Sequence, residues 1–322
     1  MLWRPWWGGW MVLAVGVACS TDTSSNTDAT VRDAGGNIAQ DTSRSQETTT
    51  GDTSGEPSRT EDTGLGFDIG FAPCQESLDL IVTADDLGYR RMYARILYEG
   101  EPAALLVDTG SQLTFLSAVD APDGTPDIGE VDFGCGPRSL LGRPFSAASE
   151  VVEAGLPVVG FVGSDFFASS LKRVDLNAKT VTPATEIHPE AVALTYEDVF
   201  GYMFVDVEID GTPLKLGFDT GANHALWIGV DGQPGDTPIN SVDGYGNPIT
   251  LFLGSGELGW DTMPAVTVPV MRILEHRSIE DSDELIGVDA QGLFGLTTLP
   301  SGRFVIDGPN TTLWFEPEVS AP

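Results

Sequence analysis

The chain has 322 residues, 41% of them hydrophobic, with 48 acidic against 16 basic side chains and a formal net charge of -32. That length holds one large domain or two ordinary ones, and so acidic a chain excludes a nucleic-acid surface and disfavours anionic membranes, because a polyanion needs a basic face. Three cysteines and three histidines (His188, His224, His276) are too few for a disulfide-built miniprotein, a Cys-rich zinc module or a histidine metal site, so no metal is expected.

Residues 1–18 read as a signal peptide: Arg4 precedes an apolar run from Trp6 to Ala18 that ends in small residues. The run is shorter than the roughly 20 residues that span a bilayer. Ala18-Cys19-Ser20 resembles the cleavage site of bacterial lipoproteins, which would make Cys19 the lipid-bearing N-terminus. Gly16 stands where that pattern usually has Leu, and an ordinary signal peptide cut near Ala18 is the alternative. Both readings imply export, the anchored one to the cell envelope, and membrane contact is expected only through the anchor. Residues 19–73 form a tether: positions 20 to 66 hold 18 Ser or Thr and, as large aliphatics, only Val31, Ile38 and Leu65. Such a segment buries too little apolar surface to offset its ordering entropy.

From Cys74 onward short β-type runs alternate with Gly, Pro and Asp turns, which predicts an all-β domain. Tyr93 to Tyr98, a turn over Glu99 to Pro102, and Ala103 to Val107 predict a hairpin leading into Asp108-Thr109-Gly110-Ser111. A second copy follows 111 residues later: Phe204 to Ile209, a turn over Asp210 to Pro213, Leu214 to Phe218, then Asp219-Thr220-Gly221-Ala222. An apolar strand is expected to leave each motif, Leu113 to Leu116 and Ala225 to Ile228. Gly160-Phe161-Val162-Gly163 is matched by Gly292-Leu293-Phe294-Gly295, and each copy ends in a strand through an Asp, Asp175 and Asp307. Four features in the same order, twice, define an internal repeat. It divides the chain into lobe 1, residues 74–190, and lobe 2, residues 191–322. Lobe 2 carries about 21 extra residues, expected in loops around 231–290.

These strand-flanked Asp-Thr-Gly copies with matched downstream glycines resemble the aspartic peptidases, specifically the retroviral-protease-like lobe, duplicated in one chain. The resemblance implies a bilobal, pseudo-twofold β fold in which each β-barrel lobe contributes one catalytic Asp, Asp108 and Asp219, to a cleft. The motif alone is weak evidence, since Asp62-Thr63-Gly64 occurs in the tether with no strand before it. Two adjacent carboxylates cannot both ionise cheaply, so one keeps its proton and the pair supplies an acid and a base at one pH. Gly110 and Gly221 are expected to permit the tight turn, Thr109 and Thr220 to hydrogen-bond across the lobes as the resemblance implies, and Gly163 and Gly295 to pass beneath the Asp loops. Ser111 is expected to donate to Asp108 where Ala222 offers Asp219 nothing comparable, which places the shared proton on Asp219.

The expected function is an aspartic-type endopeptidase that hydrolyses peptide or protein substrates as a single chain with an activated water and no cofactor. The alternatives are a non-catalytic peptide-binding envelope lipoprotein of the same fold, and lobes that pair with a second chain. Tyr245, in Asp243-Gly244-Tyr245-Gly246-Asn247, is a candidate for a Gly-rich hairpin that closes over substrate, the alternative being an ordinary turn tyrosine. The acidic run from Glu280 to Glu284 lacks the spacing of a calcium loop and reads as a solvated loop. His224 reads as a packed strand residue, since a carboxylate pair needs no imidazole. With Cys19 lipidated, Cys74 and Cys135 are left to form one disulfide in an oxidising compartment, the alternative being two buried free cysteines.

Overall fold

The repeated apolar runs form two matching hairpins in the computed structural model, which describes residues 78–84, 90–117, 128–143, 151–152, 155–242, 247–276 and 286–317. The signal, the tether, Cys19, Cys74 and Tyr245 lie outside the described residues. In lobe 1 the strands are β1 (Leu78–Ala84), β2 (Arg90–Tyr98), β3 (Glu101–Val107), β4 (Phe115–Ser117), β5 (Ile128–Asp132), β6 (Pro137–Arg143), β7 (Val151–Val152), β8 (Leu156–Val162), β9 (Leu171–Asp175) and β10 (Thr180–Pro183), with a single-turn helix α1 (Asp165–Ala168). Lobe 2 holds β11 (Val192–Val199), β12 (Tyr202–Ile209), β13 (Thr212–Asp219), β14 (Ala225–Ile228), β15 (Thr237–Val242), β16 (Pro248–Trp260), β17 (Met263–Ile273), β18 (Gly292–Gly295), β19 (Arg303–Asp307) and β20 (Thr312–Phe315).

Both hairpin turns are shorter than the sequence predicts. Only Glu99-Gly100 and Asp210-Gly211 lie outside the strands, and all four have positive φ (52°, 85°, 52° and 75°). A two-residue turn with both residues left-handed matches the twist of the paired strands, so Pro102 and Pro213 are drawn into β3 and β13. The strand leaving the first motif starts at Phe115 rather than Leu113, because Thr114 is held by the Asp165 carboxylate through its amide (3.1 Å) and its hydroxyl (2.7 Å).

Each lobe closes on itself. In lobe 1 the pairings run β3, β2, β5, β6, β4, β8 and back to β3; in lobe 2 they run β13, β12, β16, β17, β14, β18 and back to β13. Closure removes sheet edges and lets inward residues such as Met92, Ala94, Leu105 and Val107, or Val205, Leu216 and Phe218, fill a core. A third, antiparallel sheet of order β1, β10, β9, β19, β20, β11 joins the lobes. Arg173 pairs with Val305 at its centre, and the flanking pairs (Leu171 with Asp307, Asp175 with Arg303) exchange under a half-turn, so the pseudo-twofold axis passes there. The architecture is thus the all-β, bilobal, pseudo-twofold, aspartic-protease-like one implied by the resemblance.

The registers also locate the extra residues of lobe 2. Leu116 and Trp227 are equivalent at an offset of 111, Val131 and Leu258 at 127, Gly142 and Arg272 at 130, and Phe161 and Leu293 at 132. Most of the insertion therefore precedes Leu258, in β15 and the first half of β16. These pair as a hairpin from Thr237 with Leu253 to Val242 with Pro248, so the added chain is largely strand rather than the loop expected.

The Glu316 carboxylate, 1% exposed, fastens the joining sheet. It accepts hydrogen bonds from Arg173 Nε and Nη2 (2.8 Å each) and the His188 amide (3.1 Å), and pairs with Arg303 Nε at 2.7 Å. Burial alone would raise its pKa, but the Arg173 hydrogen bonds, the His188 amide and the two guanidinium charges outweigh it and hold the carboxyl below its ordinary value. Its contribution to stability is therefore present above the ordinary carboxylate range and is lost as pH falls through the lowered folded value. Glu316→Gln is expected to cost about 1.5 to 3 kcal/mol in urea unfolding at pH 7, as loss of hydrogen bonds to a charged group does, and less at pH 3.

Candidate active site

β3 and β13 each end against a parallel neighbour, β8 and β18, and deliver Asp108 and Asp219 to the pseudo-twofold axis. The Asp108 amide donates to Val162 O at 2.9 Å, continuing the ladder, and both carboxyls are buried (1% and 6% exposed). The two loops grip one another through their threonines. Thr109 Oγ1 accepts from the Thr220 amide (3.0 Å) and donates to Phe218 O (2.9 Å). Thr220 Oγ1 accepts from the Thr109 amide (3.1 Å) and donates to Val107 O (2.9 Å). Four buried hydrogen bonds thus fix the position of one Asp loop against the other.

That grip brings each carboxyl against the opposite glycine. A Cβ on Gly110 would stand 2.7 Å from Asp219 Cγ, and one on Gly221 would stand 2.6 Å from Asp108 Cγ. Neither glycine has a left-handed φ, so both are demanded by the neighbouring carboxyl rather than by the turn for which the sequence reading assigned them. Gly163 is as constrained: a Cβ there would lie 2.5 Å from Leu113 O. A Cβ on Gly295 would meet His224 O. Both pass directly beneath the loops. The backbone bonds repeat as well, Ser164 N to Ser111 O (2.8 Å) and Leu296 N to Ala222 O (2.9 Å).

The electrostatics of the two Asp residues differ. Burial, then the charge of Asp219 and a hydrogen bond with it, push Asp108 well above the usual carboxylate range, against the Gly110 amide and the cation of Arg91. Burial also raises Asp219, but the hydrogen bond from Asp108 and the amides of Gly221, Ala222 and Gly110 pull it back. Asp219 Oδ1 accepts from Gly221 N (2.8 Å) and Ala222 N (3.1 Å), whereas Asp108 Oδ1 accepts from Gly110 N (2.9 Å). Asp108 Oδ2 is buried and accepts no hydrogen bond. The amide donors around Asp219 therefore favour Asp108 as the protonated partner, whereas the sequence expectation favours Asp219. Ser111 accounts for the difference: its hydroxyl donates to Leu113 O at 2.8 Å instead of to Asp108.

Sequence reasoning missed several supporting residues. Thr114 Oγ1 accepts from the Gly163 amide (3.0 Å), tying the Asp165 carboxylate to the underside of the Asp108 loop. The place of Asp165 is taken in lobe 2 by Thr297, which donates to Asn223 O and stands 2.9 Å from His224 Nδ1, and the place of Thr114 by Ala225. His224 is buried in the loop just before β14, not within the strand as expected. Gln112 Nε2 donates to Phe200 O (2.6 Å), so the β11–β12 turn of lobe 2 rests on the Asp108 loop. Among the described residues no group of three His, Cys, Asp or Glu is placed to hold a metal ion.

No protein-family model and no curated protein matches the chain. Among solved structures it is similar to basic 7S globulin from soybean (10% identity, 74% of this chain and 94% of that one covered, TM-score 0.40). It is also similar to an aspartic proteinase from Irpex lacteus (14% identity, 74% and 96% covered, TM-score 0.42).

Proposed function

We propose that the chain is an aspartic-type endopeptidase working through Asp108 and Asp219. The observation that carries the reading is the mutual packing of two buried carboxyls, each against the other loop's glycine. Ionised Asp219 takes a proton from a water held between the pair as the water oxygen bonds to the scissile carbonyl carbon. Asp108 gives its proton to the carbonyl oxygen, forming a neutral gem-diol. The Asp219 proton then goes to the leaving nitrogen, a hydroxyl proton returns to Asp108, and the C–N bond breaks. Asp108 Oδ2 has no donor to stabilise it as an anion and is the natural seat of the proton. Cleavage of a diverse peptide library from pH 3 to 8, suppressed by a transition-state-mimicking aspartic-protease inhibitor, is expected. Peptides bound but left uncut across that range would support a non-catalytic peptide-binding role instead.

We also propose that the enzyme is exported, carried by a lipid on Cys19 and lifted off the envelope membrane by residues 19–73. Among the described residues no helix is long and apolar enough to cross a membrane. Cys135, in the β5–β6 turn, is disulfide-bonded, with its partner outside the described residues. We assign that partner as Cys74, which ties the start of the folded part to lobe 1. Thiol titration of the unreduced, denatured, lipidated protein is expected to find no reactive thiol, and two reactive thiols would exclude the bridge.

A further inference from the structure

The β15–β16 hairpin, from Thr237 opposite Leu253 to Val242 opposite Pro248, holds most of the residues that lobe 2 has beyond lobe 1. One face of it is apolar: Ile239 stands opposite Leu251, and Ile249 lies two residues along on the same side. That face packs with Leu226, Met271 and Ala222 in one cluster, and Ala222 is the residue whose amide donates to Asp219 Oδ1 at 3.1 Å. The hairpin therefore bears on the Asp219 loop. Its root is held by Arg272 of β17, whose side chain is 1% exposed. Nη1 pairs with Asp236, the residue before β15, at 3.2 Å; Nη2 pairs with Asp210 of the β12–β13 turn at 3.2 Å and donates to Ser255 O of β16 at 2.9 Å. One guanidinium thus joins the chain entering the hairpin, the chain leaving it and a neighbouring turn. Gly254 leaves room for this, since a Cβ there would run into the Asp236 carboxylate. At the position of Arg272 lobe 1 has Gly142, so the arginine accompanies the added hairpin.

We propose that Arg272 is a positioning residue: it roots the β15–β16 hairpin so that the apolar face stands as a wall of the substrate site beside Asp219. The inference rests on reading Asp108 and Asp219 as the catalytic pair. A buried guanidinium costs desolvation that an apolar side chain of like volume would not, so stability alone does not call for one here. What the arginine adds is direction, because its planar fork meets two carboxylates and a carbonyl at fixed angles. Ile239, Ile249 and Leu253 keep part of their surface exposed next to the cluster that contains Ala222, and that surface is what a peptide lying over Asp219 meets. A hairpin displaced at its root carries this surface away from the loop, while the Asp pair, held by the two threonines, keeps its geometry. The loss then falls on substrate binding rather than on the chemical step.

The test combines amide hydrogen exchange of the full chain, read by mass spectrometry, with kcat and KM on the best library peptide. Three variants perturb the root in different ways. Arg272→Lys keeps the charge without the fork, Asp236→Asn removes one carboxylate charge, and Gly254→Ala pushes the Asp236 carboxylate aside. Each is expected to speed exchange about tenfold or more in residues 237–242 and 248–253, with β9, β19 and β20 as protected as in wild type. KM should rise about three- to tenfold with kcat within about twofold. A merely structural role would not divide in this way, since global loosening lowers protection in both lobes together. Hairpin exchange as slow as in wild type, or raised only in step with β9, β19 and β20, would overturn the proposal, as would an unchanged KM. Faster hairpin exchange in a protein that cuts no peptide would keep Arg272 as the root of the hairpin and overturn the peptidase reading, and the substrate wall with it.

Discussion

Asp108→Asn and Asp219→Asn are each expected to lower kcat/KM on the best library peptide by about a thousandfold or more while leaving the fold intact. An amide cannot exchange the shared proton, and groups that act as a unit fail together, so either substitution removes both acid and base functions. The same variants carry a stability signature of opposite sign. Asp108 is raised in the folded protein by burial and by Asp219, so the stability it contributes is fully present below its unfolded value and lost as pH rises through the folded one. Asp108→Asn should therefore raise Tm by a few degrees at pH 7 and confer little at pH 3. Near wild-type turnover in either variant would refute the paired-carboxylate mechanism. A lower Tm at pH 7 would refute the strained, buried state of Asp108.

Thr109→Val and Thr220→Val are expected to lower Tm by about 5 to 15 °C each. Val has the shape of Thr but no hydroxyl. At Thr109 the change strands the Thr220 amide and Phe218 O, and at Thr220 it strands the Thr109 amide and Val107 O. Each buried group left unsatisfied costs about 1 to 3 kcal/mol, and in a domain of this size each kcal/mol is worth roughly 2 to 4 °C. Serine at either position keeps the donor and acceptor and should recover most of the loss. Thermal unfolding by circular dichroism decides it. A shift below about 2 °C in the valine variants would mean that the cross-lobe hydroxyls do not hold the loops together.

The duplication was legible because its markers are backbone-forced. An apolar strand, Asp-Thr-Gly and a downstream glycine recur in both lobes, and Gly163 and Gly295 leave no room for a side chain. The lobe-joining sheet was only half visible. Asp175 and Asp307 marked its central strands, but the pairing of Arg173 with Val305 across the axis is a contact between distant segments that no local pattern encodes. Side-chain orientation was the weakest inference. Ser111 stands three residues from Asp108, close enough to donate in several rotamers, and only the placed Leu113 carbonyl selects one. The expectation that Ser111 steadies ionised Asp108 rests on that rotamer, and the placed carbonyl removes its support. At Gly110 and Gly221 the crowding that leaves no room for a side chain comes from the other lobe, which no local turn pattern encodes.

The central claim, one proton shared by two carboxyls that cut peptides, is tested most directly by the pH dependence of kcat/KM for the wild-type protein on one cleaved library peptide. A bell is predicted, its acidic limb marking loss of the first proton from the doubly protonated pair and its alkaline limb loss of the second. A profile that rises to a plateau with no alkaline limb, or that keeps its activity in Asp108→Asn, would contradict the account.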